Sequence, residues 1–263
     1  MDRFLIFALE RSGSTSLAAA LNLECSVVQE PFSSMSGDVQ SNERFRSLLE
    51  TSGYLPEHLP EDEGDEFSYN RFQRLARDPV VCAGYLEALY QRFVGIKHVR
   101  NTVSMDANFN ILDWCLGNGV KIVFLSRKKL GEALLSRFLA QQAEVHNFGH
   151  DMEDRDRWDS AEFEPIDIVV FRNQLESVQK TEAEYRQHLA GKPCHSLYYE
   201  QLYRGWHWLR RRKLAALCRY LSIAPGELDP EAIDNYLFNP DRKQTDHKAL
   251  ARIPNFRALK RYF

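Results

Sequence analysis

Residues 11–16 carry side chains of the kinds that bind a phosphate or a sulfate group. One guanidinium, several hydroxyls and one glycine stand in an unbroken run: Arg11, Ser12, Gly13, Ser14, Thr15 and Ser16. Glycine lets the backbone approach a ligand closely, and hydroxyl groups cap helices or donate to anions. The run therefore predicts an anion-binding loop.

The flanking residues predict the elements that would hold this loop in place. Residues 4–9 form a short apolar run without alternation, typical of a strand buried on both faces of a parallel sheet. Residues 17–21 are leucine and alanine, which are strong helix formers. Such a strand-loop-helix unit brings backbone N–H groups and the positive end of a helix dipole to a ligand. The run lacks the lysine and glycine spacing of a Walker loop, so a serine-rich turn with an exposed Arg11 is the alternative.

Arg-Ser-Gly-Ser-Thr after a buried strand resembles the 5′-phosphosulfate loop of sulfotransferases, which use 3′-phosphoadenosine-5′-phosphosulfate (PAPS). In particular, this loop looks like that of the bacterial trehalose-type and carbohydrate branch, where arginine replaces the lysine of the cytosolic enzymes. Glu10 stands where that branch often has proline. The resemblance implies a single α/β domain over residues 1–263, with a three-layer, P-loop-like fold and a central parallel sheet flanked by helices.

A second basic loop follows the apolar run at residues 120–125. Sulfotransferases bind the 3′-phosphate of the cofactor with an arginine at a strand end and a serine about eight residues later. Ser136 lies eight residues beyond Lys128 and nine beyond Arg127, so either basic residue fits the spacing. A guanidinium fork suits a phosphate better than an ammonium, which favours Arg127 with Lys128 in support.

Two further residues match catalytic positions of the family, and a third lies next to one of them, where the family has its histidine two residues beyond the lysine. Glu30 follows a short strand-like run and corresponds to the proposed base, although a Glu before a proline is also typical of a solvated loop. Lys97 resembles the lysine near the sulfuryl group. His98 is the rival base, but strand alternation puts Lys97 and His98 on opposite faces, so Glu30 is preferred.

Other segments give weaker indications. Residues 33–79 contain Ser/Gly-rich and acidic stretches and predict a loop region that binds the acceptor. Residues 146–159 are polar and predict a loop, and the basic run 210–213 predicts a solvated helix face. By resemblance, Arg242 and Lys243 contact the cofactor phosphates from a C-terminal segment.

Composition limits the classes of protein and the kinds of site that the sequence allows. The chain has 263 residues, 44% of them hydrophobic, and a net charge of −3, so it can bury a full core but has no general attraction to nucleic acid. Its five cysteines are scattered, which suggests neither a disulfide framework nor a zinc site, and no ligands are spaced for another metal. No run approaches the roughly 20 apolar residues of a membrane span, and the short apolar N-terminus predicts a cytoplasmic protein.

The resemblance predicts a sulfotransferase that moves a sulfuryl group from PAPS to a hydroxyl or amine of a small-molecule or carbohydrate acceptor. The product nucleotide would be 3′-phosphoadenosine-5′-phosphate (PAP). The alternatives are a P-loop small-molecule kinase, against which the missing lysine argues, and a catalytically inactive nucleotide-binding module of the same fold. The acceptor and the oligomeric state stay open.

Overall fold

The structure, a computed structural model, describes residues 1–22, 26–33, 43–54, 73–145, 152–204, 206–224, 226–239 and 250–263. The chain divides into two compact units, each built from two separate stretches. The first unit contains Met1–Ser126 and Lys192–Phe238, and the second contains Arg127–Gly191 and Asn239–Phe263. The single sulfotransferase domain over residues 1–263 stays a prediction.

The first unit contains a sheet of five parallel strands, which confirms the predicted α/β class. The strands are β1 (Phe4–Ala8), β2 (Val27–Gln29), β3 (Gly95–Val99), β4 (Lys121–Ser126) and β5 (Cys194–Tyr198). Their order in the sheet is β2-β3-β1-β4-β5. The central strand β1 pairs with β3 on one side and β4 on the other, and all five of its residues are buried. An apolar run without alternation is therefore what this position requires.

Helices connect the strands. In chain order they are α1 (Ser14–Ala20), α2 (Glu43–Ser52), α3 (Gln73–Arg77), α4 (Pro79–Arg92), α5 (Met105–Gly117), α6 (Leu130–Gln142), α7 (Met152–Ser160), α8 (Ile168–Leu189), α9 (Tyr199–Tyr203), α10 (His207–Tyr220), α11 (Pro230–Ile233) and α12 (Phe256–Leu259). Shorter turns lie at Arg100–Thr102, Asp234–Phe238 and Lys260–Tyr262. In the described ranges, none of these helices has the length and apolar content needed to cross a membrane.

Helices cover both faces of the sheet, which gives the predicted three layers. On one face, Ile6 of β1 packs in a core with Leu17 of α1 and Leu217 of α10. On the other, the hydroxyl of Tyr90 in α4 donates to the Phe4 carbonyl at 3.0 Å, and Asn108 of α5 contacts β3. The side chains of one strand alternate between these two cores.

Capping side chains define the first residues of α4 and α5 more precisely than the pattern of apolar residues in the sequence does. Asp78 accepts from the amides of Val80 and Val81 at 2.8 and 3.0 Å, which begins α4 at Pro79. The Ser104 hydroxyl accepts from Ala107 N, so α5 begins at Met105, four residues before the apolar run that starts at Phe109.

Within the predicted acceptor loop, residues 33–79, the structure contains α2 and α3, and the acidic cluster 61–66 lies outside the described residues.

The second unit is helical and contains one correction. Residues 152–159, predicted as part of the loop 146–159, lie in α7, which extends to Ser160. Trp158 is buried and meets Phe163 edge to face at 5.7 Å, which anchors this otherwise polar helix. The guanidinium of Arg252 donates to the carbonyls of Asp159, Trp158 and Ala161 at 3.0, 2.7 and 2.8 Å, and so caps the C-terminal end of α7.

Candidate functional site

The loop after β1 leaves the sheet at its topological switch point. Strands β1 and β4 are neighbours in the sheet. After β1 the chain continues to β2, toward one edge of the sheet, whereas after β4 it continues to β5, at the other edge. In open parallel sheets, ligands bind outside the carboxyl ends of the strands at such a point. The anion-binding loop predicted from the sequence therefore lies where this fold places its binding sites.

Two left-handed residues and one buried serine shape the loop. Arg11 has φ 60° and Gly13 has φ 77°. Ser12 between them is fully buried, and its hydroxyl donates to the Leu9 carbonyl at 2.5 Å. In the structure, Ser12 thus shapes the turn from within. Ser14 is also buried, whereas Thr15 and Ser16 in the first turn of α1 are half-buried.

Tyr203 of α9 fixes the conformation of Gly13. Its hydroxyl donates to the Gly13 carbonyl at 2.7 Å. The carbonyl oxygen of Gly13 also accepts from the backbone amide of Leu17 at 3.0 Å. A Cβ atom on Gly13 would lie 2.6 Å from the Tyr203 ring, so only glycine fits here without a shift of the aromatic ring. With its carbonyl turned toward Tyr203 and Leu17, the peptide that links Gly13 and Ser14 directs its N–H the opposite way.

An acidic residue of the loop is tied to the neighbouring strand. The Nδ2 group of Asn101, in the turn after β3, donates to the Glu10 carboxylate at 2.7 Å. This contact connects the carboxyl ends of β1 and β3. It also gives Glu10 a structural partner.

Glu30, which directly follows β2, forms an ion pair with Lys97 in the middle of β3. The Lys97 ammonium donates to Oε1 of Glu30, and the backbone amide of Glu30 donates to the Lys97 carbonyl at 2.6 Å. The Lys97 side chain is 3% exposed and that of Glu30 is 27% exposed. Lys97 is opposite Ile6 in the register, which places it on the face that α1 covers. The sequence predicted both residues for the site, and the structure joins them directly.

The backbone of Glu30 is as unusual as that of Arg11. Four non-glycine residues have positive φ in the described ranges: Arg11, Glu30, Glu144 and Ser222. Glu144 and Ser222 follow helix ends, where left-handed residues are common. Arg11 and Glu30 instead follow strands β1 and β2, with φ of 60° and 52°. Strained conformations of this kind concentrate at functional sites, and here they fall on Arg11 of the predicted anion-binding loop and on Glu30, the predicted base.

His98 lies on the opposite face of β3 from Lys97. It is fully buried against Phe7 and Phe32, and it shares a 2.7 Å hydrogen bond with Oδ1 of Asn108. The Asn108 amide donates to the Arg100 carbonyl, so the imidazole Nε2–H is the donor to Asn108. Burial lowers the pKa of His98 from 6.5 to about 4. An imidazole with so low a pKa is a weak proton acceptor, and its burial shields it from solvent.

The remaining predicted residues belong to other parts of the chain. Arg127, Lys128 and Ser136 lie in the second unit, where Arg127 and Ser136 are buried and Lys128 is exposed. Arg242 and Lys243 lie outside the described residues. That Arg127, Lys128 and Ser136 bind the same nucleotide as the loop after β1 stays a prediction.

The sequence interpretation missed several residues that form or support the site. Tyr203 and Asn101 contact the loop, and Arg100 is a buried arginine whose guanidinium lies 4.8 Å from the ring centre of Phe124. The aromatic run 198–203 was a detectable signal for Tyr203, but its contact with Gly13 spans 190 positions. Arg100 and Asn101 follow β3 directly, so the rule that sites gather at strand ends could have found them.

No protein-family model matches the chain, and no curated protein matches it significantly. The structure itself defines an α/β fold with a five-stranded parallel sheet of order β2-β3-β1-β4-β5, consistent with a P-loop-like fold. This class of fold is compatible with nucleotide binding.

Proposed function

We propose that this chain is a PAPS-dependent sulfotransferase. The observation that carries the proposal is the Glu30–Lys97 ion pair, in which Glu30 directly follows β2 and Lys97 lies in the middle of β3, next to the strand that leads into the anion-binding loop. It supplies one carboxylate and one buried cation in the region where the family resemblance requires a base and a charge stabiliser. The left-handed backbone at Arg11 and Glu30 supports the same assignment.

The residues of the first unit suit a sulfated nucleotide. Arg11, the hydroxyls of Thr15 and Ser16 and the N–H groups at the start of α1 are donors for an anionic group. The two acids nearby are each bound by a neighbour, because Glu10 accepts from Asn101 and Glu30 accepts from Lys97. Lys97 offsets the negative charge of Glu30, and Asn101 holds the Glu10 carboxylate at the turn after β3.

Each residue of the site has a defined task in the proposed reaction. PAPS supplies a sulfuryl group, whose sulfur forms a bond to the acceptor oxygen while its bond to the bridging phosphate oxygen breaks. Glu30 takes the proton of the acceptor hydroxyl. Lys97 has three N–H donors, so it can hold Glu30 with one and stabilise the charge on the bridging oxygen with another. Arg11 neutralises the same charge from the loop.

The decisive measurement is calorimetric titration of the whole chain with PAP and, separately, with ATP. The proposal predicts that PAP binds more tightly than ATP and that Arg11→Ala weakens PAP binding at least about tenfold, since charge-assisted contacts contribute about 1.5–3 kcal/mol. Ser136→Ala tests the 3′-phosphate assignment separately. Arg172→Ala, at an exposed position on α8, is the control and should bind PAP like the wild type. Preference for ATP would contradict the proposal and favour a kinase.

A second measurement separates an enzyme from an inactive module. If the wild type transfers sulfate from PAPS to any acceptor in a panel of sugars, alcohols and amines, Glu30→Gln should lower kcat while PAP binding stays within about twofold. Tight PAP binding by the wild type without turnover on the whole panel would favour the inactive module. Undiminished kcat in Glu30→Gln would remove Glu30 from the role of base.

A further inference from the structure

Two tryptophans protrude at the start of α10. The side chain of Trp206 is 76% exposed and that of Trp208 is 62% exposed. In the described ranges they are the only aromatic residues among the exposed large apolar side chains. An indole ring in water leaves a large apolar area uncovered, so each of these two exposed residues marks an interaction surface at this end of the helix.

Arginines continue the same surface along the helix. Trp208, Arg212, Ala215 and Arg219 are all exposed, and their spacing of four, three and four residues places them on one face of α10. Leu214 and Leu217 on the opposite face are buried in the core of the first unit. We call the exposed side formed by Trp208, Arg212 and Arg219, together with Trp206 at the N-cap that precedes the helix, the tryptophan–arginine face.

The charge of this face is positive although the chain as a whole has a net charge of −3. The helix has five basic residues and no acidic one. Arg210 turns inward and donates to the Leu202 carbonyl, and Arg211 pairs with Asp234 at 3.0 Å. Arg212 and Arg219 have no carboxylate partner in the described part of the chain. Their charge is therefore available to an external anion.

We propose that the tryptophan–arginine face docks onto an anionic lipid bilayer. Indole rings favour the interface between headgroups and acyl chains, where an apolar body and a polar N–H are both accommodated. Arginines beside them bind lipid phosphates and are attracted by the negative surface potential of the bilayer. Two weak signals, insertion of aromatic rings and basic attraction, together give reversible peripheral binding. This inference is independent of the proposed sulfotransferase activity.

The test is sedimentation of the full chain with vesicles of phosphatidylcholine alone or with phosphatidylserine added, at low and at moderate salt. The chain should bind the anionic vesicles, bind the neutral ones much less, and lose affinity as salt rises. The double variant Arg212→Glu/Arg219→Glu should bind at least about 25-fold more weakly, since each arginine near such a surface contributes about fivefold. Trp206→Ala/Trp208→Ala should weaken binding about tenfold.

Matched controls come from α8 in the second unit. Arg172→Glu/Lys180→Glu makes the same change in charge at two exposed positions, and Val169→Ala/Val170→Ala removes apolar atoms from exposed side chains. Both should leave vesicle binding unchanged. The proposal is overturned if the wild type ignores anionic vesicles or if the controls weaken binding as much as the α10 variants do. Tighter binding to single-stranded DNA than to vesicles at the same salt would also overturn it, because stacked bases would then be the preferred ligand.

Discussion

Replacing Glu30 and replacing Lys97 should lower the free energy of unfolding by different amounts. Glu30→Ala leaves the ammonium of Lys97, whose side chain is 3% exposed, without its carboxylate. Removing one partner of a buried pair typically costs about 3–5 kcal/mol. Lys97→Met puts an apolar side chain of similar length in the buried position, and the 27% exposed Glu30 can turn toward water. We expect a cost of about 1–2 kcal/mol for this variant.

The double variant, together with the wild type and the two single variants, completes a double-mutant cycle that measures this difference in stability. Glu30→Ala/Lys97→Met removes both charges, so it should be about 2 kcal/mol more stable than Glu30→Ala alone. Urea unfolding at neutral pH, followed by circular dichroism, gives the free energy of unfolding of all four proteins, provided that the slope with urea concentration is constant. As a reference, Asp234→Ala breaks the exposed pair with Arg211 and should cost less than about 1 kcal/mol. Equal costs for the two single variants, or simple additivity in the double variant, would refute this reasoning.

Three further predictions concern neighbouring residues. Because burial lowers the pKa of His98 to about 4, the unfolded state binds more protons than the folded state between that value and its ordinary 6.5. The free energy of unfolding should therefore fall by about 3 kcal/mol as the pH drops through this window, and His98→Gln should remove most of that dependence. Tyr203→Phe keeps the ring against Gly13 but removes the hydrogen bond, so amide exchange in residues 9–16 should quicken about fivefold. Arg11→Gly should raise stability by up to about 1 kcal/mol, because glycine tolerates a φ of 60°, while PAP binding is lost.

Each of these predictions has its own control. A pH dependence that persists in His98→Gln would assign the titration to another group. Tyr220→Phe removes a long 3.3 Å hydrogen bond to the Pro193 carbonyl and should leave exchange in residues 9–16 as it is in the wild type. Arg11→Ala keeps the left-handed strain, so the claim of backbone strain fails if it is as stable as Arg11→Gly.

The sequence pattern predicted those elements of the fold whose formation depends on residues close together in the sequence. The strand at residues 4–8, the glycine turn and the helix after it follow from buried apolar residues and helix formers within a 20-residue window. Strand alternation also predicted that Lys97 and His98 face opposite ways, and the register confirms it, with Lys97 opposite Ile6 and His98 opposite Phe7.

Contacts between distant residues could not be predicted in the same way. Glu30 and Lys97 were each assigned to the site, but their ion pair spans 67 positions and depends on β2 lying beside β3. The sequence contains no local sign of that pairing. Helix α7 was missed for a related reason, because it is stabilised by the burial of Trp158 and by a cap from Arg252 that lies far along the chain. Tertiary contacts of this kind routinely override a polar local pattern.

The cap that Arg252 places on α7 has a consequence for the order of events during synthesis on the ribosome. Helix α7 ends at Ser160, yet its last carbonyls acquire their arginine partner only after more than 90 further residues have been made. A nascent chain therefore cannot cap this helix until residue 252 has emerged, whereas β1, β3 and β4 are all available once residue 126 has emerged. These strands can begin to pair well before α7 in the second unit acquires its cap.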